Sequence, residues 1–543
     1  MRAVTRDTVR TQARPARSRP RRPATALVAG LVLALAAPAA APAARVVADG
    51  RPAAGSKKHA KRWAARAAAA RASAPGVIAA SDRLRVVPEG GGERSLRTAS
   101  GRRVVLRGAN VIGLVDYGGV HDVVGITAAD GEQARALGLN VVRLGVSWSR
   151  VQPAPGVTDR AYLADVDRAA RVFANRGIYV LLDMHHDRFA ANLGQPLETE
   201  ADGAPRWAVD TGSASCDSRF GGALGFGGYY RTACAATAAS ALWSNRTIAG
   251  KPLQTHYGDA LEAVAKVGER LGPAFAGIEL YNEPRSPEPG LPEGWAAREL
   301  WPAYAGWIRR LRAAGVDAPI WFDSPEVSAA RFSDDDGLVF APHVYDDVYD
   351  RSPDAATGER LRGAYDHVVR RARGFGAAVV VGEYAGARGG PWESYRQAGL
   401  GNQDRTLTGG IVWVWKQHPT KDYGWGVLQP NGALQPDGNL AMDLARPRLV
   451  SSGPNIVRQT ADATTLVVET RGAGVVEVWT GAATGRAAGR GRAPVVTVDG
   501  AAPRATHRVR SAGAKVAVPG AVLGGRRVQV TVPAGTHVVR LRP

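Results

Sequence analysis

Short apolar runs recur along the chain between residues 103 and 415 and alternate with longer segments of helical character. Runs of this length that are apolar throughout are typical of strands in a parallel sheet with both faces covered. Eight such runs occur, at 103–108, 141–146, 178–182, 277–281, 320–322, 338–340, 378–381 and 411–415. Helical segments between them include 162–175, 257–271, 296–313 and 359–373. Eight strand–helix units predict a closed (β/α)8 TIM barrel.

The pattern of residues along the sequence changes after residue 446. Short runs rich in valine and threonine follow, separated by Gly, Pro and Ala, at 464–469, 475–479, 495–498, 528–532 and 537–541. This pattern predicts a small all-β sandwich over 447–543. We therefore assign 81–446 to the barrel domain, and we expect a hairpin over 84–98 to lead into the first barrel strand.

The N-terminal region has the layout of an export segment. Arginine-rich residues 1–22 precede an apolar stretch at 24–37, and small Ala/Pro sequence continues to residue 44. That order predicts a signal peptide over 1–44 and a secreted protein. The apolar stretch is shorter than the ~20 residues that span a bilayer, although an uncleaved N-terminal anchor stays an alternative. Residues 45–80 are basic and Ala-rich without apolar periodicity, which predicts a disordered linker.

The positive charge of the chain lies at its two ends. Of the formal net charge of +21, residues 1–72 carry +14 and residues 446–543 carry +11, so that the segment between them carries −4. A nucleic-acid enzyme needs positive potential around its chemistry, so no nucleic-acid partner is predicted. No G-x-G-x-x-G or phosphate-loop motif follows the early strands, and no organic cofactor is predicted.

Two cysteines, Cys216 and Cys234, lie in one Gly-rich insertion. In an exported chain they predict one local disulfide. A zinc site needs about four ligands, and no cluster of histidines accompanies these two thiols. No metal is therefore predicted.

Two glutamates stand at the C-terminal ends of apolar strands. Glu283 follows the run at 277–281, and Glu383 follows the run at 378–381. A carboxylate beside a buried strand is costly unless it is paired, solvated or used. The C-terminal strand ends of a barrel form its active-site face. Two carboxyl groups, one as acid and one as nucleophile, can cleave a glycosidic bond there.

Residues 100–445 resemble glycoside hydrolase family 5, the cellulase-like clan. Asn282-Glu283-Pro284 is similar to its acid/base motif, and Glu383 is similar to its nucleophile. The resemblance implies a retaining glycosidase and adds further site residues in the same order along the chain, namely Arg143, His185, His343, Tyr345 and Trp415.

Chemistry suggests a role for each of these residues. Arg143 and Tyr345 are suited to hold Glu383 ionised and oriented. His343 and His185 are suited to bond the sugar or to tune Glu283. The remaining pair are Asn282, suited to the sugar 2-OH, and Trp415, suited as a flat platform for a sugar face. Each has a structural alternative: Arg143 as an ion pair, the histidines as satisfied core residues, and Trp415 as core. The resemblance also implies a cis peptide bond after Trp415.

A narrower resemblance, over about 84–543, is to endoglycoceramidases. It rests on 183–187, the insertion around 203–208, the stretch 242–245 and the C-terminal β-domain. It implies that Asp187 contacts the sugar and that the substrate is a glycosphingolipid, cleaved between glycan and ceramide. The alternatives are an endo-β-glucanase or mannanase acting on polysaccharide, and a sterol-glucoside or other glycolipid glycosidase. A sugar-binding protein on an inactive barrel is disfavoured because both glutamates are present.

The expected partners follow from these assignments. The substrate is a glycolipid or an oligosaccharide, and the protein is expected to be a monomer. We expect peripheral contact with a lipid surface through the basic C-terminal domain and the aromatic residues at 220–230.

Overall fold

The computed structural model describes residues 77–115, 125–190, 193, 203–214, 232–287, 290–345, 348, 352–417, 424–481, 484–485, 495–501, 506–510, 516–518, 521–523 and 525–542. The predicted signal peptide, the linker up to residue 76, Cys216 and the aromatic residues at 220–230 lie outside the described residues. Within the described part of the chain, no helix combines the length and the apolar character that crossing a membrane demands.

A closed barrel of parallel strands forms the centre of the molecule, as predicted. Its strands, in chain order, are Arg107–Val111, Val141–Val146, Tyr179–Met184, Phe275–Glu279, Ile320–Phe322, Leu338–Phe340 with His343–Val344, Ala378–Val379 with Val381–Ala385, and Gly410–Trp413. The sixth and seventh strands are each interrupted once, so the ten pieces make eight strands. Each strand pairs with the next in parallel, and the eighth pairs with the first, which closes the sheet.

Helices cover the outside of this barrel. Those of seven residues or more are Ala128–Ala136, Arg160–Ala174, Ala233–Trp243, Leu253–Glu269, Trp301–Ala313, Thr357–Phe375, Glu393–Thr406 and Asn439–Ala445. The helix Arg160–Ala174 shows why they form. Asp159 caps it by accepting from two backbone N–H groups of the first turn, and Val166, Ala170 and Phe173 form a buried stripe at helical spacing.

The C-terminal region forms antiparallel sheets with a second apolar core, as predicted. A four-stranded sheet contains Asn455–Ala461, Leu466–Arg471, Thr536–Arg542 and Val495–Val498. A seven-stranded sheet contains Leu84–Pro88, Arg94–Thr98, Arg103–Val104, Arg448–Ser452, Gly474–Trp479, Arg527–Val532 and Thr506–Arg510. Alternate residues of these strands, such as Val476, Val478, Val530 and Val532, are buried between the sheets.

The apolar run at 103–108 serves two sheets. Arg103–Val104 pairs with Arg448–Ser452 in the C-terminal region, whereas Arg107–Val111 is the first barrel strand. Val105 packs into the core of the β-region and Leu106 into the core of the barrel. The N-terminal hairpin therefore belongs to the same sheet as the C-terminal strands, although it precedes the barrel in the chain.

A buried ion cluster also joins barrel and β-region. Asp404 accepts from Arg107 at 3.1 Å, from Gln459 at 2.7 Å and from Arg446. All four side chains are buried, so removing the carboxylate would leave two buried guanidinium groups without their partner.

Candidate active site

The register of the barrel strands sets the predicted residues side by side. Asn110 lies beside Arg143, Asp183 beside Glu279, and His343 beside Glu383. In a parallel sheet, register partners point to the same face. The polar side chains therefore form one layer near the C-terminal ends of the strands.

Arg143 is the centre of this layer. It is fully buried, and its five N–H donors make five hydrogen bonds. Nε and Nη2 bind the two carboxylate oxygens of Glu279 at 2.7 and 3.0 Å. The remaining bonds go to Glu383 at 2.8 Å, Asn110 at 3.1 Å and Asn282 at 2.8 Å. Asp183 lies 3.1 Å from Nη2 as a further ion-pair partner.

Glu383 is held from three sides. Its Oε1 accepts from Arg143, and its Oε2 accepts from the Tyr345 hydroxyl at 2.6 Å, so the predicted contact to Tyr345 is present. His343 Nδ1 lies 3.4 Å from the same Oε2. The carboxylate is buried, and both of its oxygens have partners.

Glu283 lies four residues beyond the end of the fourth strand, in a left-handed backbone conformation with φ of 44°. Such a conformation is uncommon for a residue other than glycine and is concentrated at functional sites. Its Oε1 is 2.8 Å from His343 Nδ1, and its Oε2 accepts from Arg285 at 2.9 Å. The predicted contact between His343 and Glu283 is therefore present.

His343 lies between the two glutamates. One oxygen of Glu283, one oxygen of Glu383 and a ring nitrogen of His343 are all within 4.8 Å of one another. Burial lowers the pKa of His343, but the charges of Glu383 and Asp323 and the hydrogen bond to Glu283 raise it to about 9. The imidazolium form is thus favoured between the two carboxylates.

The pKa directions of the two glutamates are the reverse of what the expected roles require. Burial raises the pKa of Glu283, but the hydrogen bond and charge of His343, together with Arg285, lower it below its ordinary value. Burial, with the charge of Glu283, raises the pKa of Glu383 in spite of His343 and Arg143. Arg143 does lower the pKa of Glu383 and orients it, as expected, but burial and the charge of Glu283 outweigh that effect.

His185 belongs to a neighbouring polar cluster. Its Nδ1 is 2.7 Å from Asp183 Oδ2, and its Nε2 is 3.4 Å from Asp187 Oδ1. Burial lowers the pKa of His185, yet the two aspartates raise it well above its ordinary value. Its ring stacks on Trp413 with centroids 5.4 Å apart. Asp187, the predicted sugar contact, is half-buried and bonded through this histidine.

The two predictions made for Trp415, a sugar platform and a cis peptide bond after it, are wrong. The non-proline cis peptide bond joins Trp413 to Val414, so the bond predicted after Trp415 is wrong. Trp415 is 2% exposed, and its Nε1 donates to Asp130 at 2.9 Å, whereas Trp413 is only partly buried and lies against His185. The aromatic platform facing the polar layer is therefore Trp413. The eighth strand ends at Trp413, so alternation beyond it no longer indicates which side chains face the site.

His186 points away from His185, as expected for neighbours at a strand end. Its ring stacks on Tyr281 with centroids 4.2 Å apart, and its Nε2 is 3.2 Å from the Tyr257 hydroxyl. Burial and the charge of His185 lower the pKa of His186 to about 3. The backbone oxygen of His186 accepts from Asn282 Nδ2 at 3.0 Å, so this amide bridges His186 to Arg143.

Sequence reasoning missed further contributors besides Asn110 and Trp413. Glu279 and Asp183 hold Arg143, and Arg285 holds Glu283. The clue was available for Glu279, since a charged residue inside an apolar strand needs a buried partner. Arg285 follows the acid/base motif by two residues, but nothing in its spacing indicates that it turns back onto Glu283.

Two further predictions concern metal binding and the cysteines. Among the described residues, the group with metal-ligating atoms close enough for one ion is Glu283, His343 and Glu383, which are the predicted catalytic residues themselves. Cys234 is disulfide-bonded rather than free. Its pairing with Cys216 stays a prediction, because Cys216 lies outside the described residues.

Comparison with known proteins places this site in a family. The description "Cellulase (glycosyl hydrolase family 5)" matches residues 98–419, more than half of the chain. The chain therefore belongs to glycosyl hydrolase family 5.

Individual relatives carry narrower names. The chain is 32% identical to endoglycoceramidase I of Rhodococcus hoagii over 232 residues, which are 38% of this chain and 43% of the relative. It is 28% identical to endoglycoceramidase of Cyanea nozakii over 235 residues, 39% of this chain and 45% of the relative. These matches span less than half the length of each relative.

A solved structure extends the similarity to most of the chain. The crystal structure of endogalactoceramidase has a TM-score of 0.63 at 25% sequence identity. The match covers 84% of this chain and 99% of that one.

The elevated pKa of His343 predicts a pH effect on stability. A histidine whose folded pKa of about 9 exceeds its unfolded value of about 6.5 stabilises the protein fully below pH 6.5. This contribution, about 3 kcal/mol, is lost as pH rises to about 9. The fall in unfolding free energy between pH 6.5 and 9 should therefore be smaller in His343→Gln, measured by urea unfolding. His186→Gln is the control and should change that fall by only about 0.4 kcal/mol, because His186 is neutral in the folded protein throughout this range and titrates only in the unfolded chain. Equal falls in His343→Gln and wild type would contradict the assignment.

Proposed function

We propose that this protein is a retaining β-glycosidase, with Glu383 as nucleophile and Glu283 as acid/base. The observation that carries the proposal is the approach of the two carboxyl groups to within 4.8 Å, oxygen to oxygen. Retaining enzymes place the two groups about 5–5.5 Å apart, whereas inverting enzymes leave about 6.5–9.5 Å for a water molecule. This close approach of two oxygens favours the retaining arrangement.

The first chemical step forms a bond from Glu383 to the anomeric carbon. Arg143 and Tyr345 fix the two oxygens of Glu383, so that the carboxylate meets the sugar in one orientation. The glycosidic C–O bond breaks as Glu283 gives its proton to the leaving oxygen. Trp413 supplies an apolar surface for the sugar ring beside this bond.

The proton needed by Glu283 is held next to it. Before cleavage it resides on His343, whose Nδ1 is 2.8 Å from the Glu283 carboxylate. A bound glycan excludes water, which raises the pKa of that carboxyl because desolvation disfavours its charged form. The proton then moves along the existing hydrogen bond onto Glu283.

The second step reverses the roles. Once Glu383 is esterified to the sugar it carries no charge, which lowers the pKa of Glu283 and leaves it as a base. Glu283 then takes a proton from water, the water oxygen bonds to the anomeric carbon, and Glu383 leaves as a carboxylate.

Substitution of the two glutamates should separate these steps. Glu383→Gln should abolish turnover of every glycoside, because no ester can form. Glu283→Ala should slow cleavage of substrates with poor leaving groups by about 10²–10⁴-fold. With an activated aryl glycoside it should accumulate a glycosyl-enzyme, detected as a mass increase on Glu383 by mass spectrometry. Labelling elsewhere, or persistent turnover by Glu383→Gln, would contradict the assignment.

The substrate we assign is a glycosphingolipid, cleaved between glycan and ceramide. The support is the similarity to two endoglycoceramidases and to endogalactoceramidase. A polysaccharide is the second candidate, because the family description is that of cellulases.

Product analysis distinguishes these substrates. Incubation with a glycosphingolipid should release the intact glycan and ceramide, resolved by thin-layer chromatography, while soluble β-glucan should stay intact. Glu383→Gln is the matched control for both. Release of oligosaccharides from β-glucan, with the glycosphingolipid untouched, would make the protein an endo-β-glucanase instead.

Export and contact with a lipid surface complete the proposal. Residues 1–44 support export through their basic, apolar and small-residue order. The net charge of +11 over residues 446–543 supports attraction to anionic lipids.

Salt should separate lipid contact from catalysis. Activity on glycolipid in anionic vesicles should fall as NaCl rises from 0.05 to 0.5 M, because surface charge is screened. Activity on a soluble aryl glycoside should change little. The same dependence for both substrates would leave the basic region without a part in recruitment. Retention of the N-terminal segment in secreted material, seen by N-terminal sequencing, would contradict cleavage of a signal peptide.

A further inference from the structure

Glu279 is a buried carboxylate to which the reaction described above gives no part. It is the last residue of the fourth strand, four positions before Glu283, and its side chain has no solvent exposure. Its two oxygens bind Nε and Nη2 of Arg143 at 2.7 and 3.0 Å. It is the bidentate partner of the guanidinium that holds the proposed nucleophile.

The geometry of the guanidinium makes this contact directional. The five donors of arginine lie in one plane as a rigid fork, so two bonds to Glu279 fix the plane in which Nη1 reaches Glu383. Without Glu279, two buried donors lose their acceptor, and the fork is free to turn toward Asp183. Such a turn would withdraw Nη1 from Glu383.

We propose that Glu279 is a positioning residue of the catalytic centre. It fixes Arg143 against Glu383 and, as an anion, helps the pair formed by Glu283 and His343 to retain its proton. This inference rests on the proposed function for its kinetic consequence, but its electrostatic consequence is measurable without turnover.

Several charged or titratable groups surround these residues. Facing Glu279 are Arg143, Asp183, His343, Tyr257 and Tyr304. Facing the pair of Glu283 and His343 are Glu383, Asp323 and Arg285. Burial raises the pKa of Glu279 to about 7, with Asp183 adding to the rise and Arg143 opposing it. Glu279 is therefore mainly anionic above neutrality, where the proton on His343 is being lost.

Glu279→Gln removes this anion and keeps the shape of the side chain. Loss of a negative charge favours deprotonation of nearby groups, so the pKa of His343 should fall by about 0.5–1 unit. The measurement is an NMR titration of isotope-labelled histidine rings, with His343 assigned from the spectrum of His343→Gln. In turnover of a soluble aryl β-glycoside, the alkaline limb of the pH profile should shift down by the same amount. Its kcat should fall about 10–100-fold while KM changes less than twofold, because Glu279 orients the catalytic machinery without touching substrate.

Asp404→Asn is the matched control. It also removes a buried carboxylate bound to an arginine of the barrel, but one that faces Arg107 and Arg446 at the start of the first strand. It should lower stability without moving the pKa of His343 or the pH profile. A shift in this variant equal to that of Glu279→Gln would reduce Glu279 to a structural residue and overturn the proposal.

A second variant, Glu279→Asp, tests the proposal even if Glu279→Gln does not fold. Glu279→Asp keeps the charge but shortens the reach by one methylene, so it should lower kcat through Arg143 while the pKa of His343 stays within about 0.2 units of wild type. A normal kcat in Glu279→Asp, or an unchanged pKa of His343 in folded Glu279→Gln, would overturn the proposal. If the wild type cleaves no glycoside, the proposed function fails, whereas the NMR result still decides the role of Glu279.

Discussion

A buried guanidinium sets the geometry of the site. Arg143 lies inside a barrel core where an unpaired cation would be strongly destabilising, so every N–H must find an acceptor. Asn110, Glu279, Asn282 and Glu383 provide those acceptors from the first, fourth and seventh strands or the loops that follow them. Because every N–H of Arg143 needs an acceptor, its hydrogen bonds fix the relative positions of strand ends that are far apart in sequence. Glu383, the proposed nucleophile, is placed by the same bonds that make burial of the arginine tolerable.

Beside Arg143, the residues Glu283, His343, Glu383 and Arg285 form one cluster of interacting charges. His343 lies between two carboxylates, where its raised pKa favours the protonated form, and Arg285 bonds to Glu283. In a coupled group of this kind, the proton belongs to the set rather than to one residue. The directions of the pKa shifts describe how that proton is distributed among His343, Glu283 and Glu383. The reversal found for Glu283 and Glu383 is therefore a property of the whole charged cluster.

Much of this could be predicted from sequence because it depends on local pattern. Apolar runs between helical segments located all eight strands, and the strand-end positions of Glu283, His343 and Glu383 followed from the barrel. The failures depend on features that alternation does not encode. The run at 103–108 divides between two sheets, since Val105 and Leu106 are both apolar and only the tertiary fold assigns each to its core. Trp415 was predicted as the aromatic platform instead of Trp413 because the strand ends at Trp413 and alternation stops there. Glu279 was missed because its partner, Arg143, is 136 residues away in the chain.

The stereochemistry of the reaction tests the central claim most directly. If Glu283 acts as acid/base and Glu383 as nucleophile, the first product released from a β-glycoside must have the β configuration. Proton NMR of the anomeric signals, recorded within minutes of adding enzyme and before mutarotation, gives that configuration. The account predicts initial accumulation of the β anomer followed by slow equilibration. Initial accumulation of the α anomer would show inversion and would contradict the assignment of Glu383 as a nucleophile.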